Sequence, residues 1–101
     1  MNGGEYVIFN LADEASGFGN RASAKPLRQQ VQNLMSQFAD TRIIVNFSGV
    51  PLVSASFADE FIARLAKEVG VASFFQRVVL QGMSDLVRRT IDAVLEQRLR
   101  A

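Results

Sequence analysis

Residues 42–61, RIIVNFSGVPLVSASFADEF, contain the junction that decides the fold. The apolar run over residues 42–47 is typical of a strand buried on both faces, as in parallel sheets covered by helices. After a short turn, apolar residues recur at helical spacing from Phe57 onward. The segment therefore predicts a strand followed by a helix that begins near Ser56.

Further elements can be predicted on both sides of this junction. Residues 5–11 and 77–80 are rich in the β-branched and aromatic types that favour strands. Apolar spacing predicts one helix over residues 23–38 and another from about Ser84. Pro26 places the start of the helix over residues 23–38 close to Ser23, because proline is tolerated only in the first turn of a helix. The alternating order predicts an α/β fold with a small, mostly parallel sheet and about three helices.

The composition limits the possible classes of protein. A length of 101 residues suits a single domain spanning residues 1–101, and an apolar fraction of 49% is enough for a modest core. The net charge of +1 gives no electrostatic reason to bind nucleic acid. The chain contains no His and no Cys, which removes the commonest general base and the commonest transition-metal ligands. We therefore expect no catalytic residues, no metal and no cofactor.

Targeting signals are also missing from the sequence. No run approaches the ~20 apolar residues that span a bilayer. The first residues, Met1 to Glu5, lack the charged and apolar regions of a signal peptide. We expect a cytoplasmic protein that does not enter a membrane.

Two serines stand at the start of the predicted helix. Ser56, with Asp59 three residues later, has the pattern of a capping box, in which the serine accepts a hydrogen bond from a backbone N–H. The simplest interpretation of Ser56 is therefore structural. Ser54 has no comparable structural role, and a phosphate there would meet N–H groups of the helix. Ser54 is accordingly the first candidate for phosphorylation or recognition.

A glycine-rich loop, residues 17–21, precedes the helix predicted over residues 23–38. It matches neither of the usual nucleotide-binding glycine motifs. It is either a simple connection or, since it precedes a helix N-terminus, a site for an anion. Arg21 is expected to hydrogen-bond to the junction at Ser54, Asn20 belongs to the same loop, and Phe18 is either a partner contact or half-buried over the core.

The acidic pair Asp59 and Glu60 follows Phe57 in the predicted helix. Adjacent carboxylates on a helix diverge, so they form a poor metal site and are expected on a solvated face. We expect the surface formed by Ser54, Ser56 and this helix, with Phe57, Asp59 and Glu60 among the candidate contacts, to meet a partner.

The segment from Phe47 to Phe61, with its FSGV…SxSFADEF pattern, resembles the signature of the STAS family, the sulfate transporter and anti-sigma factor antagonist domains. It is most similar to STAS-like domains of unassigned role. The Gly19-Asn20-Arg21 loop, and Met83-Ser84 before a terminal helix with Arg98, extend the resemblance over nearly the whole chain. The resemblance implies a protein partner, either a histidine-kinase-like ATPase or another signalling subunit.

This chain departs from the antagonists at the residue that matters most for regulation. In antagonists a serine in this segment is phosphorylated by a partner kinase. Aligning Ser48-Gly49-Val50 with their Ser-Gly-Val places Ala55 at that serine and Ser54 at their acidic residue. Either Ser54 or Ser56 takes over the role, or the domain acts without phosphorylation.

Two functional hypotheses remain at this point. The first is a small regulatory or protein-interaction module that binds its partner through the serine junction. The second is a domain that binds a small ligand or a nucleotide through the loop at residues 17–21. An enzyme is disfavoured because the chain offers none of the usual catalytic groupings.

Overall fold

A computed structural model describes residues 5–100. The expectation about a signal peptide concerns mainly residues 1–4, which lie outside the described residues. The elements in chain order are β1 (Tyr6–Asn10), α1 (Leu11–Glu14), α2 (Arg21–Gln37), β2 (Arg42–Asn46), α3 (Ala55–Ala58), a π-helical turn (Asp59–Ala63), α4 (Arg64–Val69), α5 (Val71–Arg77), β3 (Val78–Gln81) and α6 (Asp85–Leu99). We call the unbroken run of α3, the π-helical turn and α4 the central helix (residues 55–69).

The three strands form one parallel sheet in the order β1-β2-β3, so β2 lies in the middle. Ile8, Ile44 and Val79 lie side by side across the three strands. The predicted α/β class and the predicted strands are confirmed. The described residues contain more helical elements than the three expected, because α1 and α5 join α2, the central helix and α6.

The helices cover one face of the sheet. Ile43 and Val45 of β2 are fully buried, whereas Ile44 between them is only partly buried. On β1 the alternate residues Tyr6 and Ile8 are 57% and 52% exposed. The prediction of a central strand buried on both faces is therefore wrong, because no element within residues 5–100 covers the second face.

A group of phenylalanines fixes the central helix over the covered face of the sheet. The ring of Phe61 lies with its centroid 6.3 Å from Phe9, 6.5 Å from Phe47 and 5.9 Å from Phe57. Offset and edge-on contacts at such distances stabilise aromatic packing beyond simple burial. These contacts set the position and rotation of the helix that carries the candidate serine and acidic residues.

Helix α2 begins earlier than the sequence predicts. Asn20 is its N-cap, and the Asn20 side chain accepts a hydrogen bond from Ser23 N at 2.8 Å. Pro26 is consequently the sixth residue of the helix instead of lying in its first turn. The helix tolerates Pro26 because this residue and Ala22, whose carbonyl loses its usual donor, are both exposed.

Helix α5 lies directly before β3, where the sequence analysis predicts no helix. Gly70 ends the central helix with φ at +95°, a conformation that favours glycine. The chain then turns directly into α5, with Phe74 buried and Phe75 61% exposed. At the end of α5, Arg77 donates to the backbone carbonyls of Phe38 and Thr41 at 2.6 Å and 2.9 Å. This arginine therefore satisfies carbonyls that follow α2.

Candidate functional site

The turn between β2 and the central helix places Ser54 as the helix N-cap. The hydroxyl of Ser54 accepts a hydrogen bond from Phe57 N at 3.0 Å, and the helix begins at Ala55. The predicted start near Ser56 is thus correct to within one residue. The prediction that Ser56 caps the helix with Asp59 is wrong. The cap is Ser54, two residues earlier than the capping-box pattern suggests.

Ser56 is left as an exposed residue on the first turn of the central helix. Within residues 5–100 its hydroxyl has no hydrogen-bond partner. The two serines therefore differ in kind: Ser54 is half-buried and satisfies a backbone donor, and Ser56 is available to solvent.

The glycine-rich loop packs against this junction. Ser54 N donates to Phe18 O at 2.9 Å, and the Phe18 ring lies edge-on to Phe57 at 5.8 Å. Phe18 is half-buried, as one of its two interpretations expected. Asn20 is exposed but caps α2. Of the donors that an anion at the start of α2 would need, the Ser23 N–H is thus already bonded to Asn20.

Arg21 reaches the central helix and not the serines. Its Nη1 donates to Asp59 Oδ2 at 2.7 Å and to Glu60 Oε1 at 3.2 Å. The expected hydrogen bond to the Ser54 junction is replaced by these two contacts, because the helix turns its carboxylates toward the start of α2. The hydrogen bond to Asp59 raises the pKa of Arg21.

Asp59 is also held from the far end of the chain. Arg98 on α6 donates from Nε to Asp59 Oδ1 at 2.8 Å and from Nη2 to Oδ2 at 2.6 Å. Two-point contacts of this kind are the strongest arginine–carboxylate pairs. The hydrogen bonds from Arg98, opposed by burial and aided by Arg21, lower the pKa of Asp59 from 3.8 to about 2.

Glu60 is buried, with 4% of its surface exposed. Arg28 on α2 donates to its carboxylate and, at 3.0 Å, to its backbone carbonyl. Arg64 lies one turn further along, 3.3 Å from Glu60 Oε2. Burial alone would raise the pKa of Glu60, but hydrogen bonds from Arg28 and Arg21 outweigh it and the pKa lies below its usual value. The expectation that Asp59 and Glu60 form a solvated face is wrong.

The π-helical turn contains both carboxylates. Arg64 N donates to Asp59 O, five residues back instead of four. Such turns are rare and frequently occur at functional sites. In this turn Asp59 pairs with Arg98 on α6 and Glu60 pairs with Arg28 on α2. The central helix is thereby joined to both neighbouring helices.

The sequence analysis does not identify Arg28 or Arg64 as residues of the site. Arg28 is 4% exposed, and its Nε lies 3.3 Å from Glu68 Oε1 without the alignment of a hydrogen bond. Its spacing was the available signal, since Arg28 falls among Ala24, Leu27 and Val31 on the buried side of α2. An arginine at an apolar position indicates a buried acidic partner.

A cleft of about 480 Å³ opens beside the start of the central helix, and we call it the Ser56 cleft. It lies between the beginning of α2, the central helix and the end of α6. Its lining consists of Arg21, Ala55, Ser56, Asp59, Lys67, Val94, Gln97 and Arg98. The cleft thus brings together three residues that the sequence singles out, Arg21, Ser56 and Asp59. Four others, Phe18, Asn20, Ser54 and Glu60, do not line it, and neither does the fully buried Phe57.

The chemistry of the cleft is that of ionic recognition. Within residues 5–100, no group of three metal-binding side chains is placed to hold a metal ion. The carboxylate of Asp59 is neutralised by two arginines, which makes it a poor general base at neutral pH. The cationic side chains around an exposed hydroxyl instead suit contacts with anionic groups.

Comparison with known protein families gives one match. Residues 23–88 match the STAS-like domain of unknown function (DUF4325), and the chain belongs to this family. The match includes the whole strand–turn–helix junction and both serines. Searches of curated proteins and of solved structures gave no match. In the part of the chain that the structure describes, no helix has the length and apolar character needed to cross a membrane.

Proposed function

We propose that this domain is a regulatory module that binds a protein partner through the surface around the Ser56 cleft, under the control of phosphorylation at Ser56. The observation that carries the proposal is the division of roles between the two serines. Ser54 holds the helix start, while Ser56 presents an unengaged hydroxyl beside Arg21 and Arg98. Membership of the STAS-like family is compatible with such a role.

Phosphorylation suits Ser56 better than Ser54. A kinase needs an exposed hydroxyl, and the Ser54 hydroxyl is half-buried and bonded to Phe57 N. Modifying Ser54 would also replace a neutral cap that contributes about 1 kcal/mol to helix stability. The sequence-based preference for Ser54 is therefore replaced in this proposal by Ser56.

The partner we propose is a histidine-kinase-like ATPase or another signalling subunit, following the resemblance to anti-sigma factor antagonists. A phosphate adds about −1.5 to −2 charges at neutral pH. On the free domain these charges meet the arginines of the cleft. Inside an interface the same charges alter the electrostatic complementarity to the partner. Phosphorylation is therefore expected to change the affinity for the partner more than the stability of the free domain.

The second hypothesis, a nucleotide or small-ligand site in the loop at residues 17–21, has less support. The Asn20 side chain already accepts from Ser23 N at the start of α2. The Phe18 carbonyl accepts from Ser54 N. The loop is thus an integral part of the junction, and binding a phosphate there would break contacts that hold the junction together.

The test uses histidine-kinase-like ATPases encoded in the same genome as this chain. We expect Ser56→Glu to change the affinity for one of them at least tenfold, measured by calorimetry, with little change in the thermal midpoint. Ser56→Ala should bind like the parent. Ser36→Glu is the matched control, because Ser36 is exposed near the opposite end of α2.

Equal binding of the Ser56→Glu and Ser56→Ala variants, or a loss of binding by Ser36→Glu as large as that by Ser56→Glu, would contradict the proposal. The absence of binding to every ATPase tested would remove the ATPases as partners and leave only the other signalling subunits. Mass spectrometry of the protein purified from its native cells then tests for phosphate on Ser56 directly.

A further inference from the structure

We infer that the Ser56 cleft receives an acidic helical segment of the partner, with two carboxylates about two helical turns apart. This inference rests on the proposed function, because it describes the partner that such a module would bind. It adds the chemistry of that partner, which neither the fold nor the family specifies. The chemistry that a partner meets depends on which charges of the cleft face outward.

The cleft carries a surplus of positive charge. Three cationic side chains line it, those of Arg21, Lys67 and Arg98, against one carboxylate, that of Asp59. The buried Glu60 also pairs with Arg21 at 3.2 Å, so the surplus lies in the charges exposed at the surface more than in their number. The Asp59 side chain is only 14% exposed, whereas those of Arg21 and Arg98 are 51% and 33% exposed. The carboxylate lies beneath its arginines, and an approaching partner meets the cations first.

The cations retain free donors. Arg98 uses Nε and Nη2 on Asp59, which leaves Nη1. Arg21 uses Nη1 alone, which leaves Nε and Nη2. Lys67 is exposed and has no ion pair within residues 5–100. Asp59 therefore orients the two arginines without exhausting them, and a second carboxylate can bind to donors that are already in position.

The cations occupy two places along the central helix. Arg21 and Arg98 meet at Asp59, and Lys67 follows eight residues later. At 1.5 Å per residue the two places are about 12 Å apart. Two glutamates eight residues apart on a partner helix have the same separation, so such a helix lying along the central helix pairs with both.

Ser56 lies at the end of this groove nearest the arginines. A phosphate on Ser56 would compete with the partner's first carboxylate for Arg21 and Arg98 and repel it. Phosphorylation is therefore expected to release the partner.

The test uses synthetic helical peptides and the full-length chain. The first peptide carries two glutamates eight residues apart, the second has glutamines at those positions, and the third has the glutamates four residues apart. Binding is followed by NMR of the isotope-labelled protein at roughly 50 mM salt, where charge interactions are weakly screened. We expect the first peptide to bind at least tenfold more tightly than the second and severalfold more tightly than the third, with shifts at Arg98 and Lys67.

Variants locate the site. Lys67→Glu should weaken the first peptide at least tenfold, and Ser56→Glu should weaken it as well. Arg88→Glu, an exposed arginine on α6 that does not line the cleft, is the matched control and should change binding less than twofold. The Lys67→Glu variant is expected to fold, since Lys67 is exposed, and its thermal midpoint checks this.

Equal binding of the glutamate and glutamine peptides would overturn the inference. The same holds if Arg88→Glu is as harmful as Lys67→Glu, or if inorganic phosphate binds at the same residues as tightly as the first peptide. In the latter case the cleft would be a site for a small anion. These outcomes leave the proposed function intact if an ATPase still responds to Ser56→Glu, so the two failures are distinguishable.

Discussion

Arg98 binds Asp59 through two hydrogen bonds of 2.8 Å and 2.6 Å, and this pair joins the last helix of the chain to the π-helical turn of the central helix. The two residues are 39 positions apart. Arg21, at the start of α2, also donates to this carboxylate, so a third helix is joined to the pair. One aspartate therefore links the start of α2, the central helix and the end of α6, and these are the three elements that form the Ser56 cleft.

Replacing Asp59 by Asn should loosen this link. The variant loses the charge that pairs with Arg21 and Arg98, although both arginines are exposed enough for water to compensate in part. We expect a loss of about 2 kcal/mol in the free energy of unfolding, equivalent to roughly 10 °C in the thermal midpoint. Asp92→Asn, at an exposed position on α6 without an ion pair in residues 5–100, should change the midpoint by less than about 3 °C. Similar midpoints for the two variants would show that the three-helix link contributes little.

The same carboxylate predicts an acid-sensitive contribution to stability. The pKa of Asp59 is about 2 in the folded domain against an ordinary value of 3.8, so the folded state favours the ionised form. The resulting stabilisation, about 2 kcal/mol, is fully present above about pH 5 and is lost as the pH falls toward 2. Urea unfolding at a series of pH values measures it. In Asp59→Asn the stability should depend less on pH in this range, and an unchanged dependence would assign the effect to other carboxylates.

Glu60 is expected to be the most sensitive acidic residue for stability. Its replacement by Gln removes the carboxylate that accepts from Arg28, whose side chain is 5% exposed, and leaves Glu68 at 3.3 Å as the remaining ionic partner of that arginine. Removing one partner of a buried ion pair costs about 3 kcal/mol or more. Glu96→Gln is the isosteric control, because Glu96 pairs with Arg100 at a position where both side chains are 73% exposed. The two unfolding free energies should differ by more than about 2 kcal/mol, and a smaller difference would mean that the existing contact with Glu68 is enough to balance the charge of Arg28.

The sequence predicts the strands and the long helices because apolar spacing is a local property of the chain. The two elements that it misses are short. In α5 the adjacent aromatic residues Phe74 and Phe75 favour a strand by composition, and only the sharp turn at Gly70 starts a helix there. The open face of the sheet was also unforeseeable, since an apolar run does not show whether anything covers its second side.

The candidate site is less predictable than the fold. The serine junction and Asp59 can be found from local patterns, but the ion pairs join residues more than 30 positions apart. Which serine caps the helix depends on a shift of two residues at the helix start. The π-helical turn has no evident signal in the sequence Asp59–Ala63, whose residues suit an ordinary helix equally well.

The division of roles between the two serines can be tested through stability alone. Ser54→Ala removes the acceptor for Phe57 N and should cost about 1 kcal/mol, measured by urea unfolding. Ser56→Ala removes an exposed hydroxyl without a partner in the described part of the chain and should cost less than about 0.5 kcal/mol. The opposite order would restore Ser56 as the cap and remove the main support for it as a regulatory residue.

Gly82 connects β3 to the last helix and is expected to tolerate no side chain. Its φ is +75°, where residues with a Cβ are strained. A Cβ built there would lie 2.6 Å from Ser48 Oγ, 2.7 Å from Asn46 Oδ1 and 3.0 Å from Ser48 N. Since Asn46 also accepts from the Ser48 hydroxyl at 2.9 Å, an added methyl group would displace a bonded pair at the end of β2.

Gly82→Ala should therefore lower the free energy of unfolding by about 3 kcal/mol, from backbone strain and local overpacking together. Gly19→Ala is the control, because a Cβ at Gly19 meets nothing within 4 Å and Gly19 does not have a positive φ. That variant should unfold within about 0.5 kcal/mol of the parent. Equal stability of the two variants would mean that the turn after β3 adjusts freely. The ends of β2 and β3 would then not be fixed relative to each other by contacts at Gly82.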